Sequence, residues 1–146
     1  MLSVFIDELG DAYFDYVQQT AAVLLTLTNY QANDSIRSTV VGALPGLIKC
    51  VKARHGVNPQ LWQLARDYNT NIYAAMKEET ETECLQAQIS AMREIIAECG
   101  NGFLSQPEVK ELGESAIRMI DKSLDRIKEL QEMKEEEVED EDDALD

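Results

Sequence analysis

Apolar residues recur at steps of three and four along most of the chain, and strand-like alternation is hard to find, so the pattern predicts helices. From Asp15 to Tyr30 the set Val17, Ala21, Leu24, Leu25 and Leu27 marks one helical face, and Asn33-Asp34 supplies a stop and a new N-cap. A second stripe, Ile36, Val40, Val41, Leu44, Leu47, Ile48 and Val51, runs to a C-cap signal at His55-Gly56. Pro45 lies inside it, where a missing backbone donor and a clash with the preceding turn predict a kink. A third helix opens with Asn58 as N-cap and Pro59 at its first position, and continues through Leu61, Leu64, Ala65, Tyr68, Ile72 and Ala75 to Glu78. After the polar run Glu79-Thr80-Glu81-Thr82 comes a fourth stripe, Leu85, Ile89, Met92, Ile95, Ile96 and Cys99, closed by Gly100-Asn101-Gly102. Ser105-Gln106-Pro107-Glu108 has the form of a capping box, and Val109, Leu112, Ala116, Ile117, Ile120, Leu124, Ile127 and Leu130 carry a fifth, unusually long helix past Met133. Leu2 to Tyr13 also reads as helix, beginning without a cap.

The stripes repeat. A shift of 48 lays Val41 on Ile89, Ala43 on Ala91, Leu44 on Met92, Leu47 on Ile95, Ile48 on Ile96 and Val51 on Cys99, while a shift of 44 lays Val17 on Leu61 and Ala21 on Ala65. Two-helix HEAT units have this period, and hairpins of such length bury their stripes by stacking into a solenoid. The expected architecture is therefore an all-α HEAT-repeat α-solenoid fragment. Its parts are the end of a truncated repeat (1–14), one repeat (15–56), a second (57–102), the first long helix of a further repeat (103–134) and a disordered acidic segment (135–146). An antiparallel bundle of unrelated amphipathic helices is the competing arrangement.

Charge enters mainly through that last segment. Glu135 to Asp146 carry nine acids and no base, so that self-repulsion predicts an unfolded tail; without it the net charge of -15 falls to -6, ordinary for a domain. The sequence has no basic tract, which argues against direct DNA or RNA binding. No apolar run approaches the ~20 residues of a membrane span, and the first residues lack a secretory signal, so a soluble, non-exported chain is expected. Cys50, Cys84 and Cys99 form no C-x-x-C pair and read as core thiols in a reducing compartment. His55 is the only histidine and is expected to interact with a helix C-terminus rather than to form a dyad. No metal, phosphate-loop or nucleophile-elbow motif occurs, so no catalytic residue and no cofactor are assigned and the chain is expected not to be an enzyme.

Three stretches resemble the karyopherin-beta nuclear transport receptors: Glu8-Leu9-Gly10-Asp11-Ala12-Tyr13-Phe14-Asp15-Tyr16-Val17, the proline-containing helix Val40 to Ile48, and Ile95-Ile96-Ala97-Glu98-Cys99-Gly100-Asn101-Gly102-Phe103-Leu104. The resemblance extends to the order of features, and implies an internal piece from the C-terminal half of a longer receptor, shuttling between cytoplasm and nucleus. It implies binding of protein cargo with basic targeting signals, release by RanGTP, and contact with FG-nucleoporins in grooves between outer helices. Trp62 and Tyr68 are the aromatic candidates for such a groove, although aromatics at helical spacing are also ordinary core. Residues opposite the apolar stripes are expected on the concave face: Arg37, Ser38, Lys49 and Lys52 in one repeat, and Glu83, Gln86, Ser90, Glu94 and Glu98 in the next. Glu83, Glu94 and Glu98 are the candidates for attracting Lys- or Arg-rich cargo, with Glu136, Glu139 and Asp140 in the acidic segment; as plain surface they would only be solvated. The alternative function is an acidic-tailed helical chaperone for basic proteins such as histones or ribosomal proteins.

Overall fold

A computed structural model describes residues 2–145; Met1 and Asp146 lie outside the described residues. Helix accounts for 87% of the chain, and no strand occurs among the described residues. The helices are α1 (Leu2–Leu9), α2 (Val17–Leu27), α3 (Asp34–His55), α4 (Pro59–Glu78), α5 (Thr82–Cys99) and α6 (Gln106–Leu145), with a 3-10 segment over Gly10–Tyr16 between α1 and α2. Two compact units divide the chain, one ending at Phe103 and one beginning at Leu104.

The predicted caps form. The Asn33 Oδ1 accepts from the Ile36 N–H at 3.2 Å, and Asn58 Oδ1 accepts from Leu61 N–H at 2.9 Å, each satisfying a donor that the first turn leaves free. At the start of α6 the box closes both ways, with Ser105 N–H donating to Glu108 Oε2 and Glu108 N–H donating to Ser105 Oγ. Gly56 and Gly100 end α3 and α5 at φ 72° and 76°, a region that a side chain disfavours.

In the first unit α3 is the centre, packing against α1, the 3-10 segment, α2, α4 and α5. It is accordingly buried on nearly every side from Val40 to Ile48, and runs as one helix across Pro45. Gly46 lets α1 come close: a Cβ built there would lie 2.8 Å from Ile6 Cγ2, and Ile6 is wholly buried. By contrast α5 is amphipathic, buried at Cys84, Gln88, Ala91, Met92, Ile95 and Cys99.

Buried positions fall on one another under two different shifts. A single shift of 44 carries Val17, Ala21, Leu24 and Thr28 onto Leu61, Ala65, Tyr68 and Ile72, all of them buried. It also carries Val40, Leu44, Leu47 and Ile48 onto Cys84, Gln88, Ala91 and Met92, again all buried, and Gly56 onto Gly100. The shift of 48 carries Val40, Ala43, Leu44 and Leu47 onto Gln88, Ala91, Met92 and Ile95, all buried. Neither shift matches throughout: 48 lays buried Val41 on exposed Ile89, and 44 lays buried Cys50 on exposed Glu94. The two registers compete because α3 has 22 residues and α5 has 18: their starts align at one shift and their glycine ends at the other, one helical turn apart.

A buried ion pair ties the two hairpins. Arg37 Nε and Nη2 donate to the two oxygens of Glu79 at 3.0 and 2.9 Å. Arg37 Nη1 also donates to the Tyr30 carbonyl at 3.0 Å, while Glu79 accepts from Glu81 N–H at 3.1 Å and Gln88 Nε2 at 3.2 Å. Arg37 is thus 7% exposed and inside the fold, not on an open face as its place on the helix predicts. Burial alone would raise the Glu79 carboxyl; the guanidinium and its further donors outweigh that and hold it below the usual carboxylate range.

The second unit contains one element, α6. Its helix continues through Glu135–Leu145, where self-repulsion predicts an unfolded segment. Glutamate is a good helix former, and extending a helix already nucleated upstream adds one hydrogen bond per residue without a new nucleus, which explains the difference. Ile117, Ile120, Leu124, Ile127 and Leu130 are exposed along it.

Candidate functional site

Between α2 and α4, over the C-terminal end of α3, lies a groove of about 760 Å³. One wall is built by the 3-10 segment and α2. Tyr13 Oη and Thr20 Oγ1 share a hydrogen bond of 2.6 Å that joins those two pieces. The Phe14 ring sits at the end of α3, edge-on to His55 at 5.0 Å between centroids and under the Arg54 guanidinium at 4.8 Å. Arg54 Nε also donates to Asp11 Oδ1 at 2.6 Å. These contacts fix the 3-10 segment, and with it Phe14 and Asp15, against the last turn of α3.

The opposite wall is α4, held to the end of α5 through its outer side. Trp62 Nε1 donates to the Cys99 carbonyl at 3.0 Å, one of the groups a helix end leaves free. Arg66 Nη2 donates to the Phe103 carbonyl at 2.7 Å, with its guanidinium stacked 4.8 Å from that ring. The groove side of α4 carries Gln60, Leu64, Asp67 and Tyr68.

The lining is mostly apolar, with Phe14, Ala22, Leu25, Val51, Leu64 and Tyr68 among it. It includes two carboxylates, Asp15 and Asp67, and neither Lys nor Arg. Tyr68 is 1% exposed, and its hydroxyl has no hydrogen-bond partner. Burial, and to a smaller degree the Asp67 charge, push that phenol far above its ordinary pKa, so it acts as a neutral group throughout the physiological range. Such a concave, apolar surface with a negative edge suits an inserted apolar side chain carried next to positive charge.

The sequence candidates separate. Tyr68 lies in the groove; Trp62, on the same helix, is half-buried and occupied at the α5 terminus instead. Glu83 and Glu94 are exposed on one side of α5, eleven residues or three turns apart. Glu98 follows one turn later but is paired, its Oε2 3.1 Å from Lys52 Nζ, so its charge is already met within the fold. Glu136, Glu139 and Asp140 are exposed on α6, in the other unit. Sequence reasoning missed Asp15 and Asp67 as groove residues; the shift of 44 that pairs α2 with α4 is the signal that brings their helices side by side. His55 ends α3 as expected and also lines the groove.

Among the described residues no group of three or more His, Cys, Asp or Glu is placed to hold a metal ion. No helix among them is long and apolar enough to cross a membrane. Comparison with known protein families, with curated proteins and with solved structures finds no match to this chain.

Proposed function

We propose that the first unit is a stack of HEAT-type hairpins, α2 with α3 and α4 with α5, and that it serves as a protein-docking scaffold of the karyopherin-beta kind. The observation that carries this reading is the shift of 44: eight buried positions of the first hairpin fall on buried positions of the second, and both hairpins end on a glycine at positive φ. Hairpins equivalent in this way stack by one repeated operation, which leaves a groove between successive outer helices and a row of inner helices beside it.

Each surface then has a partner. The groove between α2 and α4 takes an aromatic side chain of an extended peptide, the contact that FG-nucleoporins make under the resemblance. The exposed carboxylates Glu83 and Glu94 meet cargo carrying basic targeting signals, with RanGTP reversing the capture and the cycle running between cytoplasm and nucleus. The action is binding, without covalent chemistry.

The test is retention of a Lys-rich client by the chain in the presence of Ran loaded with GTP or with GDP. Release by the GTP form alone supports a transport receptor. Retention indifferent to the nucleotide removes that reading and leaves the acidic chaperone, for which the acid-rich end of α6 speaks.

A further inference from the structure

The second unit consists of a single helix, so its apolar stripe has nothing within that unit to cover it. Ile117, Ile120, Leu124, Ile127 and Leu130 follow one another at steps of three and four and are 49–61% exposed. Single exposed apolar side chains are ordinary, but five in consecutive turns of one helix form a strip of the kind that packs against another helix. Directly downstream on the same helix stand eight acids, Glu135, Glu136, Glu137, Glu139, Asp140, Glu141, Asp142 and Asp143.

The charges select what covers the strip. A second copy lying parallel sets these eight acids against eight identical ones. A second copy lying antiparallel, with Ile120 of one opposite Ile127 of the other, sets the acidic turns beside Gln106–Leu112, where Glu108 and Glu111 outnumber Lys110. Like charges specify strongly against the parallel pair and weakly against the antiparallel one, where the acidic turns gain no net basic partner. A helix with a matching apolar stripe and a block of Lys or Arg at one end gains from both halves of the surface.

We propose that α6 is the docking face for a basic amphipathic helix, whose apolar stripe packs on Ile117–Leu130 and whose basic end lies along Glu135–Asp143. This goes beyond the groove and the inner-helix carboxylates of the first unit. The charge steers the encounter and the strip supplies the retained contact.

The experiment is fluorescence anisotropy of the whole chain with a labelled synthetic helix that has a Leu stripe and one Lys-rich end. Ile120→Gln with Leu124→Gln, which keeps good helix formers in place, is expected to weaken binding at least about tenfold, and a peptide of the same composition with its stripe scrambled to bind at least about tenfold more weakly. Circular dichroism checks that the variant keeps its helix. If it does not, Glu136→Gln, Glu139→Gln and Asp140→Asn take its place, again with weaker binding expected. Unchanged affinity in a helical Gln variant overturns the proposal, because the contact is then charge alone. Sedimentation that finds the chain self-associated through α6, with the peptide unable to compete, overturns it in favour of a second copy.

Discussion

Arg37 and Glu79, 42 residues apart, meet in a two-pronged ion pair that is almost closed to water and has every major hydrogen-bonding position filled. Removing one partner leaves the other charge buried and unpaired, a cost of about 3–5 kcal/mol, whereas replacing both by apolar residues of similar volume is close to neutral. Arg37→Met is therefore expected to lower the urea midpoint sharply, and Arg37→Met with Glu79→Leu to recover most of the loss.

The same pair sets an acid limit. The Glu79 carboxyl is held below its ordinary range, so it binds a proton less readily folded than unfolded. Its stabilising contribution is complete above the unfolded value of about 4.3 and is lost as pH falls through the lower, folded one. Thermal unfolding followed from pH 6 to pH 3 is expected to show a steeper decline in the parent than in Glu79→Gln.

Two glycines of α3 are expected to respond oppositely to alanine. Gly42 has nothing within 4 Å of a built Cβ, so Gly42→Ala is expected to stabilise by about 0.5–1 kcal/mol through helix propensity. Gly46→Ala drives a methyl into Ile6, and the overpacking costs about 1–3 kcal/mol, which exceeds the propensity gain over most of that range. Chemical denaturation of both, with Ile6→Leu, which removes the Cγ2 branch, added to Gly46→Ala as a rescue, checks the sign.

Removing the unpartnered Tyr68 hydroxyl should cost nothing. Tyr68→Phe is expected to be as stable as the parent or more so by up to about 1 kcal/mol, since a buried polar group without a partner is a liability. A lower melting temperature in this variant would mean that the hydroxyl is hydrogen-bonded in solution.

On α5 the three candidate glutamates are expected to behave unequally. Glu83→Lys with Glu94→Lys should slow association with a Lys-rich client by about tenfold at low salt, with the difference fading as salt is raised. Glu98→Gln should change the rate little, because Lys52 already meets that charge, and should alter stability by no more than about 1 kcal/mol for a half-exposed pair. Stopped-flow mixing separates the two.

Much of this architecture is legible in the residues. Asn33, Asn58-Pro59 and the Ser105–Glu108 box mark helix starts by side-chain chemistry acting over three residues, and the structure uses each of them. What escapes is decided by partners distant in sequence. Arg37 looks like a surface residue until Glu79 is brought to it from 42 positions away, and the groove exists only once α2 and α4 stand side by side on α3. The 3-10 segment is likewise fixed from outside, by Arg54 and His55 gripping Asp11 and Phe14. The acid-rich end of α6 is the reverse case. Local repulsion is plain in its composition, but continuity with the helix before it prevails.

Trp62 donates its indole hydrogen to the α5 terminus, and every Phe, Tyr and Trp of the chain lies at or before Phe103. Ultraviolet emission and near-ultraviolet dichroism therefore register the first unit and are blind to α6. Tryptophan emission is thus a thermometer for the first unit alone while far-ultraviolet helicity sums both, and helicity lost outside the emission transition belongs to α6 and measures how independently the units come apart.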